Sequence, residues 1–268
     1  MSIPKIIHYC WFGRNPMPKL AKKCMKSWKK MCPDYEIKCW NEDNFDINIC
    51  PYVKEAYEKK QWAFVSDYAR LWIVYQYGGI YLDTDVELVK NIDDLLVYEA
   101  FFGFENKVHV NTGLGFGAQS KAELLRIMLN EYDNVHFVNS AGEQDRTPCP
   151  ERNTRALLKY SLIQNGKTQV LNNNTLILAP DIMSPIDYAS GKNQKKAQTI
   201  SIHHYAASWH TEEQKQGRLW RMYYRKWQVI NTKYGRKVAW FYERWMYIRL
   251  NGVKWLFGRI ISKFKAFK

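Results

Sequence analysis

Long apolar runs are missing from this chain. No stretch of 18 or more apolar residues occurs, so no membrane-spanning helix is expected. The first residues run almost at once into a strand-like segment without a basic-then-apolar leader, and no secretory signal is expected. Cysteine is sparse. The six residues Cys10, Cys24, Cys32, Cys39, Cys50 and Cys149 form no C-x-x-C pair, and five of them crowd into the first fifty positions. With no export signal, free thiols and a cytoplasmic setting are expected. No internal repeat is present. Acidic residues are the scarce charge, 26 against 40 Lys and Arg, for a net +14. Aromatic residues make up 15% of the 268 positions and charged residues 25%. That balance fits a globular chain with enough apolar surface for a full core, not a disordered one.

The most informative stretch is Tyr77-Gly78-Gly79-Ile80-Tyr81-Leu82-Asp83-Thr84-Asp85. Two glycines lead into a short apolar strand that ends in two carboxylates. Residues i and i+2 of an extended segment share a side, so Asp83 and Asp85 converge on one hard cation if the strand stays extended. Such a cation completes its shell with water and phosphate oxygens, which is equipment for a nucleotide diphosphate. The competing reading is a strand-to-turn junction, where Asp bonds its own backbone. Upstream, residues 63–75 carry apolar positions at helical spacing with no Gly or Pro, and Gly78-Gly79 is a helix stop. Asp67 and Arg70 stand three apart on one face of that helix. They make either a surface ion pair or a pair that orients sugar hydroxyls and a diphosphate.

Ser66-Asp67-x-x-Arg70 followed by Gly78-Gly79-Ile80-Tyr81-Leu82-Asp83-x-Asp85 resembles the core of glycosyltransferase family 32, the DXD-type sugar transferases. Bacterial capsular and lipopolysaccharide glycosyltransferases, fungal Golgi mannosyltransferases and glucosylating toxin domains share this core. The opening Ile3-Pro4-Lys5-Ile6-Ile7-His8-Tyr9-Cys10-Trp11-Phe12-Gly13 is similar to the family's first strand and nucleotide loop. Cys24 to Trp40 fits its pattern, and His203-His204-Tyr205-Ala206-Ala207-Ser208-Trp209 is similar to its closing element. The resemblance implies a metal-dependent, retaining transferase with Asp67, Arg70, Asp83 and Asp85 as catalytic residues. His8, Trp11, Ser66, Tyr81, Asn111, Ser208 and Trp209 are then expected around a nucleotide sugar, with a UDP-sugar favoured. A Trp after a buried strand is as often core, Tyr81 can equally be a packing residue, and Asn111 can be a plain turn residue. The metal, Mn2+ or Mg2+, is expected on Asp83, Asp85 and His204. Of the neighbours His203 and His204 only one can face the site, and His203 is expected to turn into the core.

Strands alternating with helices in the first half predict an α/β fold with a parallel sheet covered on both faces. The resemblance implies a GT-A-like, single Rossmann-type nucleotide-sugar domain over residues 1–210. Strands are expected near residues 5–9, 36–40, 101–104, 108–116 and 198–202. Helices are expected near 16–30, 52–60, 63–77, 122–130 and 153–164. Residues 140–152, polar with two prolines, read as a loop over the acceptor side. Residues 211–268 form a mostly helical basic extension, with fifteen Lys and Arg against three Glu and five of the eleven Trp. Basic helices with Trp on one face lie in membrane interfaces, so an enzyme peripheral on the inner face of the membrane is expected, or else a solvated basic face. Nucleic-acid binding has no recognisable motif here and is not expected. The expected partners are a nucleotide sugar and a glycan or lipid-linked glycan acceptor. The alternatives are a metal-dependent nucleotidyltransferase and a non-catalytic binder.

Overall fold

The computed structural model describes residues 2–187 and 192–206. All the elements below lie in one compact unit. The expected extension over 211–268, and with it Ser208 and Trp209, falls outside the described residues.

The elements follow in chain order. They are β1 (Ile6–Cys10), α1 (Lys19–Met31), β2 (Glu36–Trp40), α2 (Pro51–Glu58), α3 (Trp62–Tyr77), β3 (Gly79–Tyr81), β4 (Val86–Leu88) and β5 (Ala100–Gly103). Then come β6 (Phe116–Ala118), α4 (Glu123–Asn130), α5 (Cys149–Leu158), β7 (Gln169–Leu171), β8 (Thr175–Leu178), α6 (Pro180–Met183) and β9 (Ser201–His203). Seven strands form one sheet in the order β2-β1-β3-β6-β5-β8-β7. β1 pairs parallel with β2 and β3, and β5 pairs parallel with β8, while β6 and β7 run antiparallel to their neighbours. β4 and β9 make a separate antiparallel ribbon in which Val86 faces His203. The architecture is the predicted mixed α/β class with a sheet rich in parallel strands.

Alternation along the strands splits the core into two faces. Ile7, Ile80 and Phe101 pack with Cys24 and Trp28 of α1, whereas Cys10, Tyr81 and Phe102 pack with Val65, Ala69 and Leu71 of α3. α3 ends at Gly78, whose φ of +67° an L side chain rarely adopts. Gly79 follows at φ +100°, where a Cβ would lie 2.8 Å from the Ile6 carbonyl oxygen. Two glycines therefore let α3 stop and β3 slide directly beside β1, and this sets the position of the carboxylates that follow.

Three expected elements differ. The strand expected over 108–116 is an isolated Phe104–Val110 bridge, a one-turn 3-10 helix at Thr112–Leu114 and the short β6. Glycines at 113, 115 and 117 leave too few side chains there to sustain a long ladder. The helix expected over 153–164 begins at Cys149, with Pro150 in its first turn, and stops at Leu158. The strand expected to carry both carboxylates ends at Tyr81.

Candidate active site

Parallel pairing brings the carboxyl ends of β1 and β3 to one edge of the sheet, where ligands sit in folds of this kind. Beyond Tyr81 the chain turns. The Val86 N–H donates to the Asp83 carbonyl at 2.9 Å, and the Leu82 N–H donates back to the His8 carbonyl at 3.1 Å. A tight turn, rather than an extended strand, therefore brings the two carboxylates together.

Each carboxylate is held by a separate set of donors. The Tyr81 hydroxyl donates to Asp83 Oδ1 at 2.9 Å, and Arg70 Nη1 stands 3.6 Å from Asp83 Oδ2. Arg70 Nη2 donates to Asp67 Oδ1 at 2.5 Å, and Nε donates to the Ser66 carbonyl at 3.1 Å. Asp85 accepts the Ala206 N–H on Oδ2 at 2.7 Å and faces His203 Nε2 with Oδ1 at 3.1 Å. Ligand atoms of Asp83, Asp85 and His203 all lie within 4.8 Å of one another.

The electrostatics follow from burial. Desolvation raises the pKa of Asp67 and of Asp83 above the usual carboxylate range, against the pull of Arg70. Burial acts in the same direction on Asp85, but His203 and the Ala206 N–H outweigh it and hold Asp85 well below that range. Burial alone would depress His203, yet Asp85, Asp83 and Glu105 together raise it. Arg70 is 3% exposed and serves two carboxylates at once. Even with His203 protonated, two cations face three aspartates. Arg70 Nη1 and His203 Nδ1 are also buried without a hydrogen-bond partner. Two carboxylates and one imidazole, converging with residual negative charge, fit Mn2+ or Mg2+.

His203 rather than His204 joins the aspartates, which corrects the expected ligand by one residue. Antiparallel pairing with β4 fixes the parity of β9 and sends the His203 ring inward beside Asp85. His204 instead bonds Glu87 Oε2 through Nε2 at 2.8 Å, and Lys23 reaches the same oxygen at 2.9 Å.

His8 is also corrected. It is 1% exposed, with Nε2 donating to the Gly78 carbonyl at 2.9 Å and Nδ1 accepting from Trp40 Nε1 at 3.1 Å. Both ring nitrogens are committed to the core, and burial lowers its pKa to about 4. Tyr81 is likewise a buried packing residue, and it reaches the site only through its bond to Asp83. The Ser66 hydroxyl donates to the Trp62 carbonyl within α3 at 3.0 Å. Trp11 is half-buried, and its indole N–H donates to the Asn15 carbonyl at 2.7 Å, bracing the loop after β1. That loop borders a cavity of about 350 Å3 lined by Gly13, Arg14, Asn15, Glu42, Tyr57, Lys60 and Trp62. The Gly13 N–H donates to Glu42 Oε1 at 2.6 Å, while Glu42 Oε2 is buried without a partner.

Asn111 caps the 3-10 turn, accepting the Gly113 N–H at 2.7 Å and the Cys149 thiol at 3.4 Å on one oxygen. Two residues at this edge escaped the sequence reading. A Cβ at Gly113 would lie 2.7 Å from Asp83 Oδ2 and 3.1 Å from Arg70 Nη1, so only glycine lets the turn pass the ion pair. Glu105 bonds the Asn111 and Tyr205 side chains, and burial raises its pKa. Its only sequence signal was an acid directly after an apolar strand.

The chain is similar to several known proteins. Residues 18–102 match the family described as the glycosyltransferase sugar-binding region containing a DXD motif. The inositol phosphoceramide mannosyltransferase 3 of Schizosaccharomyces pombe is 33% identical over 134 residues, covering 48% of this chain and 37% of that protein. The lactosylceramide 4-alpha-galactosyltransferase of Mus musculus is 27% identical over 150 residues, covering 55% and 40%. The aligned part is thus well under half the length of either relative. A solved structure of the PaToxG glycosyltransferase superposes with a TM-score of 0.47 at 19% identity, covering 59% of this chain and 69% of that one. The match runs from α1 to β5 and takes in Asp67, Arg70, Asp83 and Asp85, so over these residues the chain is similar to the DXD-motif glycosyltransferases.

Proposed function

We propose that this protein moves a hexose from a nucleotide sugar, a UDP-sugar in the first instance, to a glycan acceptor, with retention at the anomeric carbon. The convergence of Asp83, Asp85 and His203 within 4.8 Å carries this reading. When bound there, a divalent cation supplies Lewis-acid neutralisation of the charge on the leaving nucleoside diphosphate. The chain itself does the positioning. Tyr81 and Arg70 fix the two oxygens of Asp83, while Ala206 and His203 fix those of Asp85. Arg70 also ties Asp67 into the same network, and that carboxylate would orient sugar hydroxyls. The cavity beside Trp62 and Tyr57 offers two rings, a carboxylate and two cations, which suits a nucleoside and its phosphates.

The two relatives are named for inositol phosphoceramide and lactosylceramide, both ceramide lipids with polar headgroups, which supports a lipid-linked acceptor. We place such an acceptor in the synthesis of a capsule, an exopolysaccharide or a lipopolysaccharide, at the inner face of the membrane. Donor hydrolysis across UDP- and GDP-sugars with Mn2+ tests the reading. The expected products are a nucleoside diphosphate and free sugar or glycoside. Pyrophosphate or a nucleoside monophosphate would instead mark a nucleotidyltransferase. Asp85→Asn should lower kcat by about a hundredfold or more, in line with the several kcal/mol that metal-ion catalysis contributes, with the thermal midpoint preserved. Full turnover in that variant would reject the site.

A further inference from the structure

The outer face of α1 is electrostatically unusual for a solvated helix. Its sequence KLAKKCMKSWKKM contains no acidic residue. Ala21, Cys24 and Trp28 face the core, and Lys19, Lys22, Lys26, Lys29 and Lys30 are all exposed. The spacing of Lys19, Lys22, Lys26 and Lys29 makes one continuous stripe along the helix. Among the described residues only Lys23 has an acidic partner, Glu87 at 2.9 Å.

This arrangement works against the helix itself. Lys22 and Lys26, and Lys26 and Lys30, are like charges four apart, which destabilise a helix. Lys19 and Lys22 occupy the first turn, where the helix dipole favours acids and none is present. A face that only needed solvation would be better served by mixed charge. Half-buried Leu20 and Met25 pack against the core beneath the helix. The helix is also rigidly tied to the strand that follows Asp85. Trp28 Nε1 donates to the Val86 carbonyl at 2.7 Å, and Ser27 Oγ accepts the Leu88 N–H at 2.9 Å.

We propose that the lysine stripe of α1 is a docking surface for an anionic lipid bilayer. Negative headgroups would relieve the repulsion along the stripe, and every lysine brought near the surface adds to the affinity. This contact is separate from sugar transfer, and the two are read by different measurements.

The test uses the full chain and vesicles of phosphatidylcholine with and without phosphatidylserine. Lysine acetylation, read site by site by mass spectrometry, should slow at Lys22, Lys26 and Lys29 only when anionic vesicles are present. Binding through residues 211–268 alone would leave these lysines unprotected, so that outcome overturns the proposal. The combined variant Lys22→Gln, Lys26→Gln, Lys29→Gln alters only exposed side chains, and its thermal midpoint is checked first. It should lose about tenfold or more in partitioning to anionic vesicles, most clearly at low salt. Equal partitioning of variant and parent would also overturn the proposal, as would protection of the same lysines by a short RNA but not by vesicles.

Discussion

Tyr81 shows how much one hydroxyl can matter to this site. Its ring is buried, with the Arg70 guanidinium 5.2 Å from its centre, and its only polar atom donates to Asp83. Residues that orient metal ligands typically contribute ten- to a hundredfold in affinity. Tyr81→Phe keeps the ring and removes the donor. Mn2+ affinity, measured by titration on the purified protein, should therefore fall about tenfold or more, while stability drops by about 1 kcal/mol. Unchanged Mn2+ affinity would mean that Asp83 needs no help from Tyr81. At the same scale, the sequence separated the acids from their surroundings well but could not assign the histidine. Alternation correctly said that only one of His203 and His204 faces inward. Which one depends on the pairing of β9 with β4, a partner far away in the chain that no local pattern reveals.

Among the elements, β1 carries a pH-dependent contribution through His8. In the fold its pKa is about 4, depressed by burial from an ordinary value of 6.5. Between those two values the unfolded chain binds the proton and the folded chain does not, so stability rises with pH across that window and is lost as pH falls through it. The difference is worth roughly 3 kcal/mol in all. In denaturant titrations between about pH 4 and pH 7, His8→Gln should show a shallower pH dependence than the parent. Parallel curves would show that His8 does not carry this term. The elements themselves were unevenly legible. β1, α1, β2 and α3 announce themselves through apolar periodicity, and Gly78-Gly79 marks the end of α3 without ambiguity. The segment from Val108 to Phe116 differs from the expected strand because its glycines serve close packing beside Asp83 and Leu82, which looks like weak strand propensity in one dimension. The two carboxylates do converge, but a turn and not the expected extended strand brings them together.

For the molecule as a whole, the class of fold followed from strands alternating with helices, and the sheet edge that carries the site followed from their parallel order. The antiparallel insertion of β6 between β3 and β5 did not, because its three residues are too short to declare a direction. Charge is divided just as unevenly, with fifteen of the forty Lys and Arg lying in residues 211–268 and six more on α1.

The Asp85 carboxylate accepts the backbone N–H of Ala206, 121 residues further along, and meets the imidazole of His203 from the same strand end. A ribosome that has released everything up to β8 has therefore made both acids and the arginine but not the groups that complete them. The site is therefore completed only by groups made more than a hundred positions after its acids, once most of the fold is already in place.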